Sequence, residues 1–362
     1  MENRVNLAFS AEQRQFADGL ERFCEKRYAF ENRRRMVAAG QWGEPLTWTA
    51  LAEMGCFGIA VAEAAGGFGG GAIEIGLMLR TLGRFLAIEP VVTAVVAGTL
   101  LSAASDAEDH IAALIEGEKR YAACFGLSDV DGRISGQVRN LSGAWGADHI
   151  LAATDAGLFL IDAGVVVMTP VPLLDDTVGA DFMLDAVPAV QLATGPDWSW
   201  HRNLAVARNV MARGWQAWGA MEGAVAATSE YMRTRQQFGR ALGTFQTVQH
   251  RVAEMIVAAK EAESAALLGA LVLEAAGPGP EAQRALAAMT ARVAAAAAIV
   301  AETAVQLHGG MGVSDELDIA ARFRHLQAYR LLADAEFRPT EQYIAHALDF
   351  QRHRHSALLI EG

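Results

Sequence analysis

Two short segments carry side chains that could hold an anionic cofactor. In "YMRTRQQFGRALGTFQTVQHRVAEM", Tyr231 to Met255, Arg235 precedes Phe238 and Gly239, so a guanidinium fork stands beside a turn where backbone can approach a diphosphate closely. Gln237 and Gln246 add amide donors, although a helix end with a solvated arginine would read the same way. In "QLHGGMGVSDELDIAARFR", Gln306 is followed by Gly309, Gly310 and Gly312, which permit a similar approach or simply terminate a helix. Further on, "LLADAEF" holds Asp334 and Glu336, carboxylates able to take up a proton if turned into a pocket. They equally suit a helix start ahead of "RPTEQYIAHAL", where acids complement the dipole.

The elements that must position these residues fall into three stretches. From Ser10 to Gly117 the apolar spacing is helical, with Ser10 as N-cap and Phe16, Leu20 and Phe23 on one face. "EAAGGFGGGAIEIG" interrupts this run as a glycine-rich loop, with no Lys-Ser/Thr to make it a P-loop, and a helix resumes over Ala72 to Phe85. Between Arg120 and Gly195, short runs such as "HILAAT" and "VVVMTPV" read as strands of a small sheet or barrel, and "GPDWSW" reads as a linker. From Leu204 onward the chain is helical and Ala-rich, with breaks at "GRALGTF", "AAGPGPEAQ", "LHGGMGVSD" and "FRPTEQ", as in an antiparallel bundle. The expected fold class is therefore α+β: an N-terminal helical domain over 1–118, a central β domain over 119–197 and a C-terminal four-helix bundle over 198–362.

Composition narrows the function. A net charge of -12 disfavours a nucleic-acid binder, whose affinity comes from neutralising phosphates. Cys24, Cys56 and Cys124 are scattered and odd in number, which suits a reducing compartment, and no export signal opens the chain, so the cytoplasm is expected. "RVAAAAAIVAETAVQL" is the most apolar run, but Arg292 and Glu302 interrupt it, and it reads as a buried bundle helix rather than a membrane span. No metal-binding spacing is present, and His353 and His355 form only a tail cluster. His308, and Met211 with Trp215 and Trp218, read as structural and core residues.

The two cofactor segments, together with "GGFGGGAIEIGLMLRTLGR", resemble the acyl-CoA dehydrogenase family over most of the chain. The likeness is weakest in the β region, where only "GADHILAAT" corresponds and the family's Thr-Glu-Pro and Gly-Ser-Asp flavin-side segment is missing. The resemblance implies FAD, an acyl-CoA substrate, an acceptor such as electron-transfer flavoprotein, and a homo- or heterotetramer. It implies that Arg235, Gln237, Phe238, Gln246, Gln306, Gly309 and Gly310 contact an FAD held mainly by a neighbouring subunit.

The same resemblance exposes a gap. The family abstracts the thioester α-proton with a Glu, whose place here is taken by Ala333; its alternative location falls at Arg208, Asn209 and Val210. Neither carries an acid, and Ala335 replaces a Thr that serves the FAD. These departures resemble the base-lacking subunit of heteromeric bacterial acyl-CoA dehydrogenases that act on steroid side chains, dicarboxylic or aromatic acyl groups. Two alternatives remain: a flavin-free assembly subunit, and a related flavoenzyme such as a nitroalkane oxidase, with Asp334 as base, or a monooxygenase.

Overall fold

The computed structural model describes residues 9–40 and 45–337. Ser10 caps the first helix as the sequence predicts: its hydroxyl accepts from the Gln13 N–H while the Gln13 side chain accepts from the Ser10 N–H. Six helices follow the order α1 (Ala11–Arg27), α2 (Phe30–Ala38), α3 (Pro45–Glu53), α4 (Ala72–Arg84), α5 (Val91–Leu101) and α6 (Glu108–Ile115). Every residue of α5 is buried. It has no polar face because α7 covers one side and the β domain the other.

Eight strands come next: β1 (Tyr121–Phe125), β2 (Ser128–Val130), β3 (Arg133–Ser142), β4 (His149–Ala153), β5 (Leu158–Asp162), β6 (Met168–Pro172), β7 (Val178–Pro188) and β8 (Val190–Ala193). They form two four-stranded sheets, ordered β1-β4-β5-β8 and β2-β3-β7-β6. β1 and β4 pair in parallel with Tyr121 opposite His149, and the other pairs are antiparallel. Pro170 and Pro172 are tolerated because β6 is an edge strand. A separate small core, with Ile134, Ile150, Phe159 and Phe182, lies inside this domain.

The bundle consists of α7 (Trp198–Thr234), α8 (Gln246–Ala276), α9 (Pro280–His308) and α10 (Ile319–Leu332). Trp198 to Trp200, expected in the linker, instead open α7, and the Trp198 indole donates to the Thr154 carbonyl at 2.8 Å, pinning the helix start to the β domain. At 37 residues α7 is about 55 Å long and joins all the helical layers. Met211, Trp215 and Trp218 on it are fully buried core, as expected. Gly219 and Gly83 let α7 and α4 touch backbone to backbone: a Cβ on Gly219 would lie 1.9 Å from the Arg80 carbonyl oxygen, and one on Gly83 2.0 Å from that of Gln216. The Arg80 guanidinium then forks onto Glu222 across the contact at 2.6 and 2.9 Å. The apolar stretch Pro280–Gly312 is long enough to cross a bilayer, but α9 within it packs against α7, α8 and α10. All three cysteines are buried free thiols.

Candidate functional site

The end of the bundle brings the two sequence segments together. Helices α7 and α9 run the same way, and Tyr231 in the last turn of α7 stacks on His308 at the end of α9, with ring centroids 4.3 Å apart. Directly after α7, β9 (Gln236–Gln237) and β10 (Arg240–Ala241) form a hairpin whose two turn residues, Phe238 and Gly239, both have positive φ, at 55° and 78°. That turn usually takes Asn-Gly. Here it holds an aromatic residue in a left-handed conformation, and the ring is 88% exposed.

Phe238 packs edge-on against Phe245, and the Arg240 guanidinium lies 3.9 Å from the Phe245 ring centre. Around this platform, Arg235, Gln237, Gln246 and Gln306 are all exposed, and none makes a side-chain hydrogen bond among the described residues. Gly309, at φ 59°, and Gly310 are exposed, and a Cβ on either would meet nothing within 4 Å. Gly312 differs: it packs against the Val305 carbonyl oxygen, and so closes the turn rather than facing outward. The seven residues that the sequence pointed to thus share one end of the molecule, with amide and guanidinium donors around open backbone. His308 sits beneath them as a structural residue, its Nδ1 2.8 Å from the Ala304 carbonyl; burial holds its pKa below the usual histidine value.

Neither base location holds a carboxylate. Ala333 is fully buried, a methyl group at the position where the resemblance places Glu. Asp334 is exposed, open to water rather than enclosed in the apolar pocket that a proton-abstracting carboxylate needs. Asp334 and Glu336 lie in a π-helical turn, Ala333–Phe337, that continues the end of α10, and the stretch "RPTEQYIAHAL", whose helix start they were expected to form, lies outside the described residues. The side chain of Glu336, and residues from Arg338 to the tail histidines, fall outside the described residues. At the second location stands Arg208, whose Nη1 donates to the Ala60 carbonyl and to Thr99 Oγ1, both at 2.9 Å. Burial lowers its pKa, with Glu274 opposing, yet a guanidinium in this range remains a cation.

Features that sequence reading passed over tie the three domains together. Asp176, at φ 66° in the β6–β7 turn, accepts from Arg33 of α2 at 3.0 Å and from Arg324 of α10. Its pKa is lowered by these two arginines despite partial burial. Nothing in sequence spacing links positions so far apart.

The fit of a flavin differs between the two sides of the molecule. The bundle end suits the diphosphate and adenosine portion of FAD: Arg235 and the amides can bind phosphate oxygens, and Gly309 and Gly310 allow close approach. On the β side, β1 leads through Gly126 and Leu127 straight into β2. The cleft where β domain, α5 and α7 meet has a volume of only about 40 Å³, too small for a three-ring flavin.

Comparison with known proteins agrees with this architecture. Residues 10–110 match the family model "Acyl-CoA dehydrogenase, N-terminal domain", and residues 201–333 match "Acyl-CoA dehydrogenase, C-terminal domain". The chain is 28% identical over 284 residues to acyl-CoA dehydrogenase FadE28 of Mycobacterium tuberculosis, covering 74% of this chain and 82% of that protein. Its fold superposes with a TM-score of 0.83 on a chain of the ChsE4-ChsE5 complex from Mycobacterium tuberculosis, at 23% identity over 96% of this chain and 99% of that one. Butyryl-CoA dehydrogenase from Megasphaera elsdenii gives 0.82 at 19% identity, over 95% of this chain and all of the other. A helical domain, a two-sheet domain and a four-helix bundle in this order define the dehydrogenase fold that works with FAD on acyl thioesters. The chain belongs to the acyl-CoA dehydrogenase family.

Proposed function

We propose that this chain is the subunit of a hetero-oligomeric, FAD-dependent acyl-CoA dehydrogenase that completes a flavin site without supplying its base. The observation that carries this reading is the asymmetry between the exposed donor surface at Arg235, Phe238 and Gly309 and the buried methyl of Ala333. FAD, when bound, supplies the acceptor for the hydride leaving the β-carbon. This chain's part is to bind and orient. Arg235 neutralises diphosphate charge, Gln237, Gln246 and Gln306 donate to polar edges, and Phe238 offers its bare ring as an apolar cover. The α-proton passes to a carboxylate of the partner subunit type.

The substrate class proposed is a fatty or steroid side-chain acyl-CoA, with electron-transfer flavoprotein as acceptor and the cytoplasm as location. Purification of the chain alone and together with a Glu-bearing dehydrogenase subunit tests the reading. A colourless chain that gains FAD and acyl-CoA-dependent bleaching only in the mixture supports it. A yellow protein, with stoichiometric FAD and full activity alone, refutes it. A flavin-free assembly role is disfavoured because it has no use for unpaired donors beside open glycines, and a base role for Asp334 by its exposure.

A further inference from the structure

Helix α8 carries two apolar stripes. One, with Met255, Ala258, Ala262, Ala266 and Gly269, is buried inside the bundle. The other, with Ala253, Ile256, Val257 and Leu268, is exposed, and Ile299 of α9 extends it sideways. A bundle helix needs one apolar face for its own core, so the second stripe calls for a partner outside the chain's core. Val257 stands in the middle of it at 57% exposure.

Shape and charge say what fits there. Val257 and Glu261 form a ridge between two hollows. One, of about 730 Å³, lies among His250, Glu254, Ile299 and Thr303; the other, of about 470 Å³, lies beside Ile256, Lys260, Ser264 and Arg292. A ridge flanked by hollows is self-complementary under a two-fold rotation, because the ridge of each copy can enter a hollow of the other. Three cations (Arg251, Lys260 and Arg292) and three carboxylates (Glu254, Glu261 and Glu302) rim the hollows. Each is already paired within the chain: Arg251 with Glu254 at 3.2 Å, Lys260 with Glu263 at 2.5 Å, Arg292 with Glu261, and Arg330 with Glu302 at 3.5 Å. No lone charge must therefore lose its water when the face is covered. With histidine neutral the rim carries no net charge, whereas the whole chain carries -12, so a second copy is not repelled from this face by the acid it meets elsewhere.

We infer that the outer face of α8 and α9 pairs two copies of this chain about a two-fold axis close to Val257. The apolar stripe forms the dry centre of the contact and the ion pairs its rim. Gln246 and Gln306 lie about one turn further along the same two helices, so the donor surface adjoins the contact without being part of it. In a hetero-oligomer, two copies of this chain are then joined to each other while each keeps its donor end for a flavin. The inference does not depend on which chain holds that flavin.

The test is the mass of the full-length chain alone, measured by light scattering after gel filtration between about 1 and about 100 μM. A dimer is expected, and Val257→Lys should weaken it at least about tenfold by driving a charge into the apolar centre. Val257 is exposed, so the variant monomer should keep its fold, which circular dichroism checks. Val257→Cys, treated with oxidised glutathione, should give a disulfide-linked dimer, because a residue near a two-fold axis meets its own copy. Val167→Cys, exposed in the β domain, should not, and the three native cysteines are buried. A wild-type monomer at the highest concentration, or equal dimer strength in wild type and Val257→Lys, overturns the inference. Two results would overturn it in favour of another occupant. Slow amide exchange over residues 253–264 of a monomer, lost on removing residues 338–362, would assign the face to the chain's own C-terminal segment. Protection that arises only on adding a Glu-bearing dehydrogenase subunit would assign it to that subunit. The flavin reading is decided separately, by colour and FAD content.

Discussion

The ring of Tyr231 lies 4.3 Å from that of His308, with the planes 21° apart, and this single stack joins the ends of α7 and α9. Through it, the hairpin carrying Phe238 and the turn carrying Gly309 become one surface, although about seventy residues separate them along the chain. Offset aromatic stacking contributes about 0.5–1.5 kcal/mol beyond area burial. Tyr231→Leu should therefore cost about 1 kcal/mol in urea unfolding and, more tellingly, reduce FAD retained by the assembled enzyme. Unchanged FAD retention in a folded variant would mean the stack does not position the donor surface.

Arg235→Ala separates binding from folding. The side chain is exposed and unpartnered among the described residues, so unfolding stability should stay within about 0.5 kcal/mol of wild type. FAD affinity of the assembled enzyme should drop by about tenfold or more, since a charge-assisted bond contributes about 1.5–3 kcal/mol. Equal FAD affinity would remove Arg235 from the cofactor surface.

Asp176→Asn probes the joint between domains. The substitution preserves the tolerance for positive φ at this turn but leaves Arg33, whose side chain is 8% exposed, without its carboxylate. Breaking a buried pair costs about 3–5 kcal/mol; partial exposure of Arg324 reduces that to about 2–4 kcal/mol here. A loss below about 0.5 kcal/mol in denaturant unfolding would show that the network is solvated in solution.

Gly219→Ala should be more damaging than its single methyl suggests. The added Cβ would meet the Arg80 carbonyl, so α4 and α7 must separate, at a cost of about 1–3 kcal/mol or more. Thermal unfolding reads this directly, and a neutral result would show that the two helices have room to slide.

Acid should weaken the fold through histidine. Burial holds His308 and His325 below the ordinary histidine pKa, so below about pH 6.5 the unfolded chain takes up protons that the folded chain resists. Their contribution is complete above that pH and is lost as pH falls through the folded values. Glu89 acts in the opposite sense, since its raised carboxyl is protonated in the folded state first. Urea midpoints should decline between about pH 7.5 and about pH 5.5, less steeply in His308→Gln and more steeply in Glu89→Gln. A flat profile in all three proteins would contradict the assignment.

Local chemistry in the sequence determined the elements and much of the donor surface. Ser10 with Gln13, the glycine loop before Ala72, the strand runs and the breaks at "GRALGTF" and "LHGGMGVSD" depend on neighbours within a few residues, which is the range over which caps, turns and periodicity act. Arg235, Gln306 and Gly309 were legible for the same reason: each is set by its own helix end. The exceptions were local as well. Trp198 to Trp200 read as linker because their helical state depends on the indole bond to Thr154, and the π-turn closing α10 was not read because it has no sequence signature.

Only the tertiary structure decided which of these groups meet and which are denied water. Asp176 finds Arg33 and Arg324 across well over a hundred residues of chain, and Arg208 reaches Ala60 and Thr99 from another domain. Glu89 looks like one acid in an apolar run until α1 and the β domain close over it. Charge and hydrogen-bond energies depend on burial and distance, and both are properties of the folded chain that sequence spacing does not contain.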